Sequence, residues 1–595
     1  MSAASDKIDR GNGLFSISPL TIPSHPVLRT ASFTFDFTMC EVNYSQSNGK
    51  CSRPTETVWR LPAFGRAARS SRGRLRRMIL HAEKRMSPFA AFPFAKHSSW
   101  ARWLSWGLIA VLTCWLLGEM VLSMRWRMAH DQAPLFYEAY LMRALGRMPY
   151  RDFFDFQMPG TYLFYYLLGR ASNFNEFRIR LIDLGLLLGL MAMTVRLMRP
   201  LGMQSAFLAS ILFGLKYLQG GPSMALQREY LLLLGIVAAL WLVGEERLPV
   251  RWRMFLAGMG VGVAVTIKPQ AGIALPVLLA WLRFSDPLLL RRALLPLLGG
   301  VSLPIGGMLI GLLAGGLWSP FWEIVRHYWP LYAQINGEME VVSGRERWLF
   351  ILQQFPRLGG HGLWLLPAML ALGFSWKRLR SSTAFRLLTL LLISGIAWGF
   401  YPSFSGQFFD YHWLPFLYFL LLLASLAMEE RLLQRGWLIG LFSLLLVIAW
   451  SVRPPTVVLR QLQGKPIAPL GGRVDTLAAF LENRLRAGDT VQPLDWTGGT
   501  LQAMLMSRAT LATPFVFDFY FYHHVSHPYI QELRRRFMAS MKTHPPRFVI
   551  AIISEDKPWV SGSDTSREFP ELQAFLEKNY LVRIQRKDYV IYEHR

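Results

Sequence analysis

Cysteine is scarce: Cys40, Cys51 and Cys114 are the only three in 595 residues. So few, so scattered, exclude a disulfide framework and a cysteine-based zinc site. Cys114 falls inside an apolar run and reads as a small packing residue. Acidic residues are also few, 38 Asp and Glu against 64 Lys and Arg, which leaves a formal net charge of +26. The first residues show no charged, apolar and cleavage regions in the order of a secretory signal. No internal period recurs, which argues against a solenoid or a propeller.

Apolar residues are abundant instead: 52% of the chain is hydrophobic, with 21 Trp and a mean hydropathy of +0.26. A soluble domain of this length does not read so; repeated runs near the length of a bilayer crossing do. The basic excess might be taken for a nucleic-acid signature. In a polytopic protein, however, basic loops set orientation and attract anionic lipid, so membrane lipids are the expected partner and nucleic acid is not. Residues 1–100 form a separate region, rich in Ser, Thr, Asn and Gly and then in Arg over 59–85. With no sustained period, they read as a disordered basic cytoplasmic tail. Met78 and Met86 are both alternative starts that the sequence leaves open.

Eleven apolar spans predict a polytopic α-helical membrane domain over 101–452: 103–124, 178–198, 203–219, 224–243, 253–267, 270–284, 292–317, 359–375, 385–401, 412–428 and 436–451. The segment 160–170 is apolar but too short to cross and suits a re-entrant or interfacial helix. Even-numbered spans end at Arg196/Arg199, Arg247/Arg251/Arg253, Arg283/Arg291/Arg292, Lys377/Arg378/Arg380 and Arg431/Arg435. The opposite connections 219–223, 268–270 and 402–411 hold one basic residue between them, Lys268; the longer 318–358 is mixed in charge. Basic loops stay cytoplasmic, so the first loop, 125–177, and everything after 452 are expected outside. Residues 453–595 alternate short strands (490–494, 548–553, 581–585, 589–592) with helices (476–485, 499–506, 529–541, 571–580) and predict a small extracytoplasmic α/β domain.

The first loop carries four acids, Asp131, Glu138, Asp152 and Asp155, among aromatic residues. Asp131 stands where a helix starts, with Pro134 tolerated in its first turn and Gly146 at its end. Glu138 then lies two turns further on, roughly on the same face. Leu135, Ala139, Met142 and Leu145 recur as in a helix lying on a membrane surface. The plain reading is an interfacial loop with an N-cap aspartate. Charge at the edge of a span is costly, however, and marks functional candidates: Arg228-Glu229, Lys268, Glu323 to Tyr328, and Asp410-Tyr411-His412. Each has a plainer reading too. Arg228 and Glu229 can neutralise each other, Lys268 can snorkel to headgroups, and a lone His412 can bond a carbonyl. Asp183 beside Arg178 and Arg180 reads as a structural pair. Asp410 and the His523, His524, His527 cluster raise the question of metal, but neither has convincing further ligands at metal spacing. Taken together, acids on a loop and cations at several span ends describe a site for a phosphorylated lipid. The cations would hold a phosphate leaving group, and an aspartate would take the proton from an attacking hydroxyl.

The run Asp131…Tyr137-Glu138-Ala139…Gly146-Arg147-Met148-Pro149-Tyr150-Arg151-Asp152-Phe153-Phe154-Asp155-Phe156…Pro159-Gly160-Thr161 resembles the first outer loop of GT-C membrane glycosyltransferases. It is most similar to the bacterial branch related to protein O-mannosyltransferases and lipid A aminoarabinose transferases. Gln227-Arg228-Glu229, Ile267-Lys268-Pro269-Gln270 and Phe409-Asp410-Tyr411-His412-Trp413 add to the likeness, which spans about 100–450. It implies a GT-C-like fold and a polyprenyl-phosphate-linked sugar donor. It also implies inverting transfer to a lipid, glycan or protein acceptor outside the cytoplasmic membrane. Asp131 matches the loop aspartate assigned as general base. Glu138, Asp152, Asp155, Arg228, Lys268 and His412 make up the substrate-binding set, with the acids positioning the loop. Many relatives carry an acid after that aspartate, where this chain has Gln132; a metal-independent enzyme, with no cofactor beyond the donor, is therefore expected. A transporter or flippase of lipid-linked sugars is the competing class, but it predicts charge near the midplane and two-half symmetry. A ligase of finished glycans is a third.

Overall fold

The computed structural model describes residues 99–595 except 286, 336–341, 343–344, 355–359, 381–382, 407, 466 and 554–561. The basic tail, with Cys40 and Cys51, lies outside the described residues up to residue 98. Cys114 is exposed on the first helix rather than packed inside.

Every expected apolar span is helical, running from Ser99–Ser123 and Glu176–Met198 through to Trp437–Ser451. Among the described residues six stretches are long and apolar enough to cross a membrane; a seventh follows if Trp437–Ser451 and Thr456–Leu462, bent by 67°, count as one. These make the chain a multi-pass membrane protein. The expected eleven crossings are not reached by length and composition. Met203–Gln219, Arg228–Gly244, Ala274–Ser285 and Leu365–Leu379 are only 12 to 17 residues long, short of the ~20 that span a bilayer.

Side-chain contacts tie alternate helix ends together. Gln132, after the first helix, bonds the carbonyl of Pro222 at 3.2 Å, and Lys216 reaches the carbonyl of Ser451 at 3.2 Å. At the other ends, Glu429 accepts from the backbone of Ser205 at 3.0 Å and Trp281 donates to the carbonyl of Arg386 at 2.7 Å. Connections poor in basic residues therefore meet at one end of the bundle, and the Arg-rich ones lie at the other.

The first loop folds into two helices, Gln132–Leu145 and Pro159–Ser172. Gly146 ends the first in the left-handed conformation at φ 63°, which glycine adopts without cost. Gly160 lets the second approach the end of Val250–Ile267, because a Cβ there would collide with the backbone of Thr266. Thr161 adds a hydrogen bond to the carbonyl of Ile267 at 3.1 Å. The first helix does not lie open on a surface: residues 132–141 are all buried. One side packs on the second helix, where Phe136 meets Tyr165 edge-on at 4.9 Å. The other side is covered by residues 508–509, whose carbonyls accept from Tyr140 at 3.2 Å and Tyr137 at 2.9 Å.

That cover belongs to a five-stranded mixed sheet of order β2-β1-β3-β5-β4. Its strands are β1 (Thr490–Leu494), β2 (Thr510–Leu511), β3 (Phe548–Ile552), β4 (Tyr580–Gln585) and β5 (Tyr589–His594). β1 pairs parallel with β2 and β3, while β5 runs antiparallel to β3 and β4. Helices Arg473–Arg484, Thr500–Met506, Pro528–Thr543 and Pro570–Asn579 alternate with the strands. Only β2, two residues long, has no counterpart among the expected strands.

Candidate active site at the first loop

Asp131 precedes the helix Gln132–Leu145, yet its side chain makes no capping hydrogen bond. The carboxylate turns away from the helix. Arg228 donates to Oδ2 at 2.8 Å, and His130 Nδ1 stands 2.9 Å from Oδ1. The N-cap reading therefore fails on geometry. Arg228 also donates to the side chain of Gln157, so one guanidinium joins the two ends of the loop to the start of Arg228–Gly244. Burial alone would raise the Asp131 pKa; the His130 ring and the Arg228 guanidinium, with Lys268 further off, outweigh it and hold the carboxyl below the usual range.

Arg228 and Glu229 do not pair with each other. Successive helical residues point about 100° apart, and Glu229 faces a second cluster. It is fully buried and accepts from Lys268; His412 Nε2 lies 3.4 Å and Tyr401 Oη 3.3 Å from the same oxygen. Its other oxygen, Oε2, has no hydrogen-bond partner among the described residues. Lys268 thus does not snorkel. It is drawn inward where the helix Val250–Ile267 ends before Pro269, and its ammonium lies 5.9 Å from the ring of Tyr411.

The remaining loop acids part ways. Asp152 accepts from the backbone of Met148 at 2.8 Å and pairs with Arg151 at 2.9 Å on the partly exposed turn; it shapes the turn and does not line the cavity. Asp155 is buried, accepts from Tyr162 at 2.7 Å and Tyr520 at 3.1 Å, and burial raises its pKa. Glu138 is fully buried, with neither carboxylate oxygen hydrogen-bonded among the described residues. Burial first, and the Asp155 charge second, push its pKa well up, which favours the neutral form of the Glu138 acid behind the site.

A cavity of about 100 Å³ opens over Asp131, Asp155, Gln157 and Arg228 and is walled by Tyr332, Phe409, Tyr411, Trp496, Phe517 and Phe519. Sequence reasoning missed His130, Gln157 and the three aromatic residues from the connections that follow β1 and β2, Trp496, Phe517 and Phe519. Trp496 follows β1 at its carboxyl end, the customary ligand side of parallel strands. There the Asp495 carboxylate takes the backbone N–H of Gly498 at 2.6 Å and of Thr500 at 2.7 Å and fixes the turn. His130 was readable only as the neighbour of Asp131. The histidine cluster is occupied structurally: His523 meets Tyr328 at 3.2 Å, His524 the carbonyl of Leu331 at 2.9 Å, and His527 caps Pro528–Thr543. Among the described residues no group of three or more His, Cys, Asp or Glu is placed to hold a metal ion.

No known protein-family profile matches the sequence, and no curated protein matches it. Solved structures do. ArnT from Cupriavidus metallidurans in the apo state aligns with a TM-score of 0.55 at 15% identity, over 82% of this chain and 97% of that one. The same protein bound to undecaprenyl phosphate gives 0.52 at 15% identity, over 82% and 98%. The Archaeoglobus fulgidus oligosaccharyltransferase is more distant, with a TM-score of 0.44 at 12% identity over 81% and 74%. Over 82% of its length the chain shares the fold of ArnT.

Proposed function

We propose that this protein transfers a sugar from a polyprenyl-phosphate donor to a lipid, glycan or protein acceptor, with inversion, at the outer face of the cytoplasmic membrane. The observation that carries this reading is the Asp131–Arg228–Gln157 junction at the floor of an aromatic-walled cavity, where membrane helices end. The fold adds support, because the ArnT that shares it has been captured with undecaprenyl phosphate.

In this reading Asp131 is the general base. Ion pairing keeps it charged throughout the physiological range, so it is always ready to drive loss of the acceptor's proton. Arg228 and Lys268 engage the donor phosphate, with His412 behind them. An ammonium has three N–H donors and Glu229 occupies one of them in Lys268, so donor capacity remains. The cations stabilise the leaving phosphate as the anomeric bond breaks, while the aromatic walls offer faces on which a sugar can stack. Asp155 and Asp152 hold the loop, and Glu138 supports it from within. No step calls on a metal.

The test is a deletion strain. A polyprenyl-phosphate sugar should accumulate, and purified protein added to its membranes should consume that lipid with release of polyprenyl phosphate. Movement of the lipid-linked sugar between leaflets without cleavage would replace the enzyme reading with a flippase.

A further inference from the structure

His130 is held in a conformation that side chains avoid. Its φ is 52°, in the left-handed region, which disfavours a non-glycine residue and persists where the surroundings impose it. The surroundings are visible. Just upstream, Arg127 donates to Glu176 at 2.7 Å and to Asp475 at 2.5 Å, and the backbone of Met128 donates to Glu176 at 3.1 Å. Just downstream, Gln132 is tied to the carbonyls of Pro222 and Ala225. Between these clamps the chain turns His130 so that Nδ1 is buried 2.9 Å from Asp131 Oδ1, close enough for ion pairing but outside hydrogen-bond geometry.

The ring also stands on a boundary. A second cavity, of about 210 Å³, lies between the first loop, residues 457–460 and 467–470, and residues 496–502. His130, Pro134 and Trp496 line both cavities, and the His130 and Trp496 rings meet edge-on at 5.8 Å. The His130 side chain is 35% exposed against 14% for Asp131. Asp131 is held by Arg228 on Oδ2 with His130 beside Oδ1, whereas the His130 ring, between Trp496 and Tyr411, keeps about a third of its surface exposed toward the cavities.

We propose that His130 Nε2 is the atom that receives the acceptor's proton, and that Asp131 acts as base through this ring. The proposal rests on the glycosyl-transfer reading above. A carboxylate oxygen 2.9 Å from Nδ1 would repel a lone pair there, so the resting proton belongs on Nδ1 and the lone pair on Nε2. The acceptor comes in from the second cavity, with its hydroxyl at His130 and the donor sugar on the Asp131 side. Its oxygen bonds to the anomeric carbon and the anomeric carbon–phosphate oxygen bond breaks. The electron pair leaves on polyprenyl phosphate, and the hydroxyl proton passes to Nε2 and then to water. The Asp131 charge, which outweighs burial and the opposing Arg228, raises the proton affinity of the ring and stabilises the imidazolium.

The test uses the full chain and membranes of the deletion strain, which hold donor and acceptor, and follows disappearance of the accumulated donor. His130→Gly suits the left-handed backbone and so keeps the fold, which an unchanged or raised Tm verifies. The expected result is a rate loss of about a hundredfold or more, partly restored by millimolar imidazole, with no such rescue for Asp131→Asn. His130→Gly at near wild-type rate, with Asp131→Asn inactive, overturns the relay and leaves Asp131 acting directly. A His130→Gly defect that imidazole does not touch overturns it as well, because the ring is then structural. If both variants retain full rate, the base reading falls with it.

Discussion

Lys268 carries two proposed roles, counter-ion to Glu229 and contact for the donor phosphate, and a pair of variants separates them. Lys268→Met keeps the length and removes the charge. It leaves the fully buried Glu229 carboxylate with His412 and Tyr401 at 3.4 and 3.3 Å and with one oxygen already unpartnered. Removing one member of a buried pair costs about 3–5 kcal/mol, whereas removing both charges is often neutral. One kcal/mol moves Tm by about 2–4 °C in a domain of 150–250 residues and by less in a larger chain. A fall of roughly 5 °C in detergent is the expected size for Lys268→Met. The double variant Glu229→Gln with Lys268→Met should recover most of it. Donor KM should behave differently, rising about tenfold or more in both variants, because neither has the ammonium. Recovery of Tm and KM together in the double variant would refute the phosphate contact. An unchanged Tm in Lys268→Met would refute the buried pair.

Asp152→Asn should keep activity within about threefold of wild type, because the carboxylate serves a partly exposed turn and Asn retains one acceptor; measured turnover decides. Glu138→Gln tests the neutral acid. A carboxyl whose folded pKa is raised above its unfolded value makes the fold less stable as pH rises from the unfolded pKa toward the folded one. The variant should therefore lose that dependence and match or exceed wild-type Tm near pH 7. A lower Tm at pH 7 than wild type would show that Glu138 is charged and paired. Reporter fusions at Arg247 and at Gly472 should give opposite compartment signals; identical signals would break the orientation on which the outer-face reading depends.

Much of this was legible because it repeats along the chain. Apolar runs dictate helices wherever they lie, and Gly146 stops the loop helix as its backbone freedom requires. Arg228, Lys268 and His412 were singled out because charge at a span's edge is costly and Asp131 because it starts the first-loop helix, and the structure brings all four to one end of the bundle. Which charge meets which was not legible. Arg228 crosses to Asp131, 97 positions away, and Lys268 to Glu229, 39 away, pairings fixed by helix rotation rather than by local sequence. The surface helix expected at 132–145 became a buried one for the same kind of reason: its cover comes from residues more than 360 positions later. Trp496, Phe517, Phe519 and Tyr520 were invisible because nothing in a short aromatic run says that it will close over a distant loop.

The central claim is that Asp131 belongs to a proton-accepting centre and not to a helix cap. Donor turnover by purified Asp131→Asn, measured beside donor binding by the same preparation, tests it most directly. Asn caps about as well as Asp, so a cap predicts little change. The account predicts a loss of turnover of about a hundredfold or more with donor still bound. Near-normal turnover would contradict it.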